Sequence, residues 1–386
     1  MTSILEKIRN IPIAVPSLGD EEWQAMREPL LSGWLTQGPK VLQFEEEFAK
    51  LHDVKHALAV TSCTTGLHLA LKALGVGPGD EVIIPAFTWV ATANVVLYCG
   101  ATPIFCDVDE ETFNIKVSDI PSKITERTKV IIPVHLFGLC ADIHAIRSIV
   151  PSHIKILEDA ACAAGASYKG LSAGSLGDMA VFSFHPRKSI TTGEGGMVTT
   201  QDKELNRLSE IMRNHGAEVP EEVRHSSAKP YLLPDFKMLG YNYRMTDLQA
   251  AVGLVQLQKL HSFIRERQTW AEYYTEKLQG IRWLKPQATP DYATQHAWQA
   301  YVCYVDPDLA PMPRNDIMDI LQKKGIATRP GTHAVHMLSF YKDKYRIKMD
   351  DFPGAKACDH NTMAIPLHNK MTQEDFDYVI EALKAI

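Results

Sequence analysis

The sequence predicts an α/β protein with a large domain, in which helices cover both faces of a mostly parallel sheet, and a smaller C-terminal α/β domain. Short apolar runs alternate with helical patterns from about residue 55 to residue 200. Long helical patterns begin at about residue 244. At 386 residues, the chain is also too long for one small core.

The apolar runs of the first half have the length and composition of buried strands. Strands are predicted at residues 81–85, 102–107, 130–135, 154–159 and 179–184. Helices are predicted at residues 67–74, 90–98 and 143–150. Because strands recur after helices, right-handed crossovers and a parallel sheet covered on both faces are expected.

The last third of the chain has a different pattern. Helices are predicted at 245–263, 265–278, 314–324 and 372–386, with a strand at 300–305. We therefore predict a large domain over residues 1–255, including the N-terminal segment, and a small domain over residues 256–386.

Composition disfavours several classes of protein. The net charge is −6 without a dense Lys/Arg block, so neither nucleic acid nor an anionic membrane is expected as a partner. Residues 1–10 lack an apolar signal core, and no run has the length of a membrane span. The seven cysteines form no CxxC pair, so we expect neither a zinc site nor disulfides, in a reduced, cytoplasmic protein.

Lys188 is the first candidate for chemistry. It lies in SFHPRKSITTGEGG (183–196), between an apolar strand and a Gly-rich turn. Burial on such a loop is expected to lower the pKa of the amine, and a neutral amine can form a Schiff base with a carbonyl cofactor. The alternative is a solvated surface lysine.

Other candidates flank three predicted elements. Asp159 ends a strand, where ligands of parallel sheets gather, and could pair with a protonated ring nitrogen. Taken alone, it is more typical of a helix cap. VTSCTTG (60–66) precedes a predicted helix and could bind phosphate or only cap that helix. Trp89 could stack on a flat ring or belong to the core.

Together, these residues resemble the DegT/DnrJ/EryC1/StrS sugar aminotransferases, a family of fold-type I enzymes dependent on pyridoxal 5′-phosphate (PLP). The resemblance covers nearly the whole chain. Besides the Lys188 segment, the matching segments are SGWLTQGP (32–39), GDEVIIP (79–85), EDAA (158–161), GSLGD (174–178), GYNYRM (240–245) and RPGTH (329–333).

The resemblance implies roles for these residues. Lys188 would form the internal aldimine with PLP and shuttle a proton during transfer. Asp159 would hold the pyridinium proton, and Trp89 would stack on the ring. The phosphate would be bound by Cys63, Thr64 and Ser183.

Further roles concern the partner subunit and the substrate. Asn242 would reach the phosphate of a neighbouring subunit, so a homodimer with shared sites is expected. His185 would line the site, and Arg244 and His333 would lie near substrate anions. Cys162 departs from the family pattern of Gln, His or Glu at this position, near the phenolic oxygen of the cofactor. Because a thiol is a weak hydrogen-bond partner, that contact could be lost, made by water or supplied elsewhere; alternatively, the cysteine packs behind the ring.

The function implied is transfer of an amino group from glutamate to a nucleotide-linked 3- or 4-keto-6-deoxyhexose, by a ping-pong scheme. A cyclitol (inosose) aminotransferase using glutamine, or a non-catalytic regulatory homologue, stays open. The 3-dehydratases of the family carry histidine where this chain has Lys188, which argues against that reaction. Substrate identity depends on loops such as residues 214–234.

Overall fold

The computed structural model of the protein describes residues 9–217 and 235–386. Two predictions therefore concern residues that lie mostly outside the described ranges. They are the substrate loop at 214–234 and the lack of an apolar signal core at 1–10. Within the described ranges, no helix combines the length and the apolarity needed to cross a membrane.

The strands alternate with helices as the sequence predicts. The strands are β1 His56–Val60, β2 Glu81–Pro85, β3 Phe87–Thr88, β4 Thr102–Cys106, β5 Thr128–Ile131, β6 Lys155–Asp159, β7 Ser167–Tyr168, β8 Leu171–Ser172, β9 Met179–Ser183, β10 Gly196–Thr200, β11 Leu284–Pro286, β12 Ala293–Gln295, β13 Tyr301–Val305, β14 Arg329–Pro330, β15 His333–Ala334 and β16 Thr362–Ile365. The α-helices are α1 Asp20–Ala25, α2 Arg27–Ser32, α3 Pro39–Leu51, α4 Cys63–Ala73, α5 Ala91–Tyr98, α6 Ile143–Ile149, α7 Lys203–Arg213, α8 Asp247–Leu278, α9 Arg314–Lys323, α10 Ser339–Tyr345, α11 Pro353–Asn361 and α12 Gln373–Lys384.

The central sheet has seven strands in the order β1-β10-β9-β6-β5-β2-β4. Strands β9, β6, β5, β2 and β4 pair in parallel, whereas β10 is antiparallel to both of its neighbours. Every residue of β2, β9 and β10 is buried, which is typical of strands covered on both faces. The predicted α/β fold with a mostly parallel sheet is confirmed.

Several predicted boundaries differ from the observed ones. Helix α4 begins at Cys63 rather than at residue 67, because the Ser62 side chain accepts a hydrogen bond from the Thr65 N–H at 3.1 Å and caps the helix there. The strand predicted at 130–135 ends at Ile131, two residues before Pro133, which has no N–H for a ladder. The two helices predicted at 245–278 form one continuous helix, α8.

A second sheet, β11-β13-β16-β14, is antiparallel and packs with α8, α9 and α12 around a separate apolar core. Residue 255, the predicted end of the large domain, lies inside α8. Ile11 also joins the C-terminal part, because its N–H donates to the Gly325 carbonyl at 2.8 Å. The division at 255/256 stays a prediction.

One short pairing links the two parts of the chain beside the site. Strand β15 pairs with β3 in antiparallel register, which places His333 opposite Thr88 and Ala334 opposite Phe87. Because Trp89 follows β3 directly, this pairing brings residue 333 of the C-terminal part close to Trp89.

Candidate active site

A cavity of about 460 Å³ lies where β6 and β9 end, with Asp159 and Ser183, the last residues of these strands, in its wall. Eight of the predicted site residues line it: Cys63, Thr64, Trp89, Asp159, Cys162, Ser183, His185 and Lys188. Asn242, Arg244 and His333 do not. A larger, open depression of about 720 Å³ lies beside α8 and holds none of the predicted residues.

Lys188 lies on the loop between β9 and β10, where its N–H donates to the His185 carbonyl at 2.8 Å. Its Nζ donates to Cys162 Sγ at 3.1 Å. Burial lowers the pKa of this amine, but Cys162, Cys63 and Asp159 outweigh burial, so the pKa is raised. The expectation that the pKa of this amine is lowered is therefore wrong, because the groups around the amine favour its charged form more than burial disfavours it.

Asp159 is 5% exposed, and both of its carboxylate oxygens have partners. Thr92 Oγ1 donates to Oδ2 at 2.9 Å, and the Ala161 N–H donates to Oδ1 at 3.2 Å. Burial raises the pKa of Asp159 despite these donors and nearby Lys188. A turn, not a helix, follows Asp159, so the helix-cap interpretation is wrong.

The first turn of α4 opens onto the same cavity. The N–H groups of Cys63 and Thr64 have no acceptor within the helix, because they belong to its first turn, and the helix dipole adds positive charge there. Burial raises the pKa of the Cys63 thiol well above its ordinary value, which keeps it neutral. This end of α4 can therefore receive an anion.

Gly196 allows β10 to lie against this helix end. A Cβ on Gly196 would come within 2.7 Å of the Ser62 carbonyl carbon, 2.8 Å of the Cys63 nitrogen and 2.8 Å of the Phe182 oxygen. All three are backbone atoms, which cannot rotate away. Glycine is therefore the residue that fits between β9 and α4.

Trp89 is 54% exposed, so its interpretation as a core residue is wrong. The indole lines the cavity and lies 5.6 Å from the His333 ring, at an interplanar angle of 39°. His333 therefore contacts the site through Trp89.

Arg244 and Asn242 both interact with Asn214, outside the cavity lining. Arg244 donates to Asn214 Oδ1 at 2.7 Å. Asn242 is exposed, and its backbone forms an isolated antiparallel bridge with that of Asn214.

Sequence reasoning missed several residues of the site. Thr92 is fully buried against Asp159 and was not among the candidates, although its position in the first turn of α5 was a signal. Arg187 and Arg329 both line the cavity. Burial lowers the pKa of Arg329, and the positive charge of Arg187 lowers it further. Gln299 donates to the Arg187 carbonyl at 2.7 Å. Nothing in the sequence indicated Gln299.

The cavity therefore presents an amine, a buried carboxylate, a helix N-terminus and an exposed indole. PLP carries an aldehyde, a basic ring nitrogen, a phosphate and a flat ring, and each has a matching group here. Within the described residues, no group of three His, Cys, Asp or Glu side chains could hold a metal ion. Fold and site together define a PLP-dependent transferase.

Comparison with known proteins makes this assignment specific. Residues 16–384 match the model of the DegT/DnrJ/EryC1/StrS aminotransferase family, and the chain belongs to this family. The spore coat polysaccharide biosynthesis protein SpsC of Bacillus subtilis is 41% identical over 378 residues, 97% of each chain. The GDP-perosamine synthase of Caulobacter vibrioides is 38% identical over 386 residues, 99% of this chain and 100% of the synthase.

A solved structure agrees with these relatives. Spr1654 of Streptococcus pneumoniae, in its PLP form, superposes with a TM-score of 0.89 at 32% identity, over 98% of each chain. Its form with pyridoxamine phosphate (PMP) superposes with a TM-score of 0.90. The protein is therefore a PLP-dependent aminotransferase of the sugar aminotransferase type.

Proposed function

We propose that this protein transfers an amino group from glutamate to a nucleotide-linked 3- or 4-keto-6-deoxyhexose, with Lys188 as its catalytic residue. The observation that carries the proposal is the meeting of Lys188, Asp159 and the α4 N-terminus in one cavity. The likeness to GDP-perosamine synthase supports a nucleotide-linked sugar as the acceptor. An intact lysine and aspartate argue against a non-catalytic homologue.

The chain's own residues divide the work. PLP supplies an aldehyde and an electron-withdrawing ring when it is bound. Asp159 would hold a proton at the ring nitrogen, while the α4 N-terminus, with Cys63, Thr64 and Ser183, would hold the phosphate. Lys188 would hold the cofactor through Nζ and would move a proton at the reacting carbon.

Two arginines give the cavity affinity for anionic substrates. Arg187 comes from the Lys188 loop and Arg329 from β14, so positive charge reaches the cavity from both parts of the chain. Guanidinium groups bind carboxylates and phosphates in bidentate geometry. This charge suits both an amino-acid donor and a sugar diphosphate.

The proposal includes a homodimer with shared sites. The N-terminal helices α1–α3 and the turn between them expose large apolar side chains: Trp23, Leu30, Leu31, Trp34, Leu35 and Leu42. Leu31 is 81% exposed, and such a concentration of apolar surface is typical of a protein interface. Asn242 would then face the cavity of the partner subunit.

The seven free cysteines fit a reducing compartment such as the cytoplasm.

The absorbance spectrum of the purified protein with PLP tests the proposal. We expect a visible band from covalently attached PLP, which glutamate converts to the near-ultraviolet band of PMP. Lys188→Ala should abolish the visible band, whereas Lys277→Ala, on the surface of α8, should not. A wild-type protein without a visible band would refute the proposal. If glutamine converts the band and glutamate does not, the amino donor is glutamine.

A further inference from the structure

Cys162 and Lys188 meet because two neighbouring strands end side by side. Strand β6 pairs in parallel with β9, with Asp159 opposite Val181. Cys162 follows β6 by three residues, and Lys188 follows β9 by five. The resulting distance from Nζ to Sγ is 3.1 Å, and both side chains line the cavity.

Lys188 needs a proton acceptor before it can act as a nucleophile. Its surroundings raise the pKa of the ammonium, so the neutral amine is scarcer at neutral pH than burial alone would make it. A protonated amine has no lone pair with which to attack an aldehyde. The proton on Nζ must therefore move to a base in contact with it.

Among the described residues, Cys162 is the candidate acceptor, because its Sγ accepts a hydrogen bond from Lys188 Nζ. Asp159 also acts on Lys188, but its oxygens already accept from Thr92 and Ala161. The Cys63 thiol stays neutral, and its Sγ lies 3.8 Å from the Val181 carbonyl oxygen and 4.0 Å from Asp159 Oδ1.

The other charged or titratable side chains that line the cavity are His185, Arg187, Glu194 and Arg329. His185 lies within electrostatic range of Lys188, and burial lowers the pKa of this imidazole. Arg329 interacts with Cys162 from the side of the small sheet. Lys188 and Arg329, two side chains with cationic groups, therefore both interact with the Cys162 sulfur.

We propose that Cys162 is a proton acceptor for Lys188: its thiolate Sγ takes a proton from Nζ so that Lys188 can attack the aldehyde carbon of PLP. This rests on the proposed role of Lys188 in cofactor attachment. The nitrogen lone pair forms the new bond to carbon, and the first Nζ proton rests on sulfur. The two protons that remain on Nζ pass to the aldehyde oxygen, which leaves as water. No other reactant is needed.

The other cysteines provide an internal contrast, since all seven positions lie within the described ranges. Burial is the largest influence that raises the thiol pKa at each of the remaining six: Cys63, Cys99, Cys106, Cys140, Cys303 and Cys358. Cys162 is half-buried and receives a hydrogen bond from an ammonium group. Its thiol should therefore be the most reactive of the set.

The rate of PLP attachment to the full-length apoprotein tests the proposal. We would follow the visible absorbance by stopped flow from about pH 6 to about pH 10, the range in which thiols and amines titrate. Cys162→Ser should slow attachment about 10²-fold near pH 7, because a hydroxyl does not accept the proton. The difference should shrink as the pH rises and the amine loses its proton to water.

The control is Cys99→Ser, which alters a buried thiol near Lys72, far from the cavity lining. It should attach PLP at the wild-type rate. If Cys162→Ser also matches wild type at every pH while Lys188→Ala attaches no PLP, the proton-acceptor role is refuted and the proposed function stands. If Lys188→Ala attaches PLP normally, the proposed function itself fails.

A second measurement uses wild-type protein and does not depend on the folding of a Cys162 variant. Iodoacetamide would be added to the apoprotein near neutral pH, and the alkylation of each cysteine followed by mass spectrometry. We expect Cys162 to react about tenfold or more faster than the other six, and Lys188→Met to remove most of that difference. Equal rates, or a rate unaffected by Lys188→Met, would refute the proposal.

Discussion

Thr92 supports Asp159 at the scale of a single side chain. The threonine is fully buried, and its hydroxyl, 3.1 Å from that of Thr88, donates to Asp159 Oδ2. Burial raises the pKa of Asp159, and this donor is the largest of the influences that lower it. Thr92 therefore helps Asp159 to remain ionised, the form that can pair with a protonated ring nitrogen.

Thr92→Val should raise the pKa of Asp159 further, because a hydrogen bond to the charged form is lost. A hydrogen bond to a charged group contributes about 1.5–3 kcal/mol, so the glutamate half-reaction should slow about 10- to 100-fold near neutral pH. The acidic limb of the pH–rate profile should move to higher pH. Single-turnover absorbance measures both effects.

Thr269→Val, which alters an exposed threonine on α8, is the matched control and should react as wild type. A Thr92→Val rate equal to wild type across the pH range would show that Asp159 does not depend on this donor.

At the scale of elements, the site depends on how closely β10 packs on α4. Helix α4 carries the N–H groups for an anion, and β10 lies beside β9 and against the start of this helix. The long helix α8 fixes the other wall, since the buried Arg267 donates to the carbonyls of Trp298 and Gln299 at 3.1 and 3.2 Å. The packing of β10 on α4 and the hydrogen bonds of Arg267 both involve backbone atoms.

Gly196→Ala should push the start of α4 away from β10. The new Cβ would overlap backbone atoms, and overpacking of this kind costs about 1–3 kcal/mol. Chemical denaturation should show that loss, and equilibrium titration should show weaker binding of PLP. Gly280→Ala, where nothing lies within 4 Å, is the control. Wild-type affinity for PLP in Gly196→Ala would contradict this account of the phosphate site.

At the scale of the whole molecule, the proposed sharing of sites between subunits predicts complementation between inactive variants. Lys188→Ala and Asn242→Ala homodimers should both lose activity. After unfolding and refolding together, a mixed dimer would contain one site with both residues intact, which should restore about a quarter of wild-type activity. Aminotransferase assays of the mixture test this, and an inactive mixture would show that Asn242 does not act across subunits.

Buried histidines make the stability of the fold depend on pH. His52 is 1% exposed, its Nδ1–H donates to the Ala173 carbonyl at 3.0 Å, and burial lowers its pKa from 6.5 to about 4. The folded chain keeps His52 neutral while the unfolded chain binds a proton. The stability it contributes is therefore present above pH 6.5 and is lost as the pH falls towards 4.

The size of this loss is about 3 kcal/mol by pH 4. His52→Asn, which can still donate to Ala173, should reduce the difference in unfolding free energy between about pH 7 and about pH 5. Urea denaturation at the two values measures it. His153→Asn, at an exposed position, should change nothing. An unaltered pH dependence in His52→Asn would assign the acid sensitivity to other groups.

The sequence by itself determined the alternation of strands and helices, because apolar periodicity reports local burial. It also made Lys188 and Asp159 candidates, because each follows or ends a predicted strand, and the structure brings both to one cavity. Tertiary structure decided what surrounds them. Gln299 and Arg329 reach the cavity from more than a hundred residues away, and the contact between Cys162 and Lys188, which reverses the expected pKa shift, arises from strand pairing that no local pattern records.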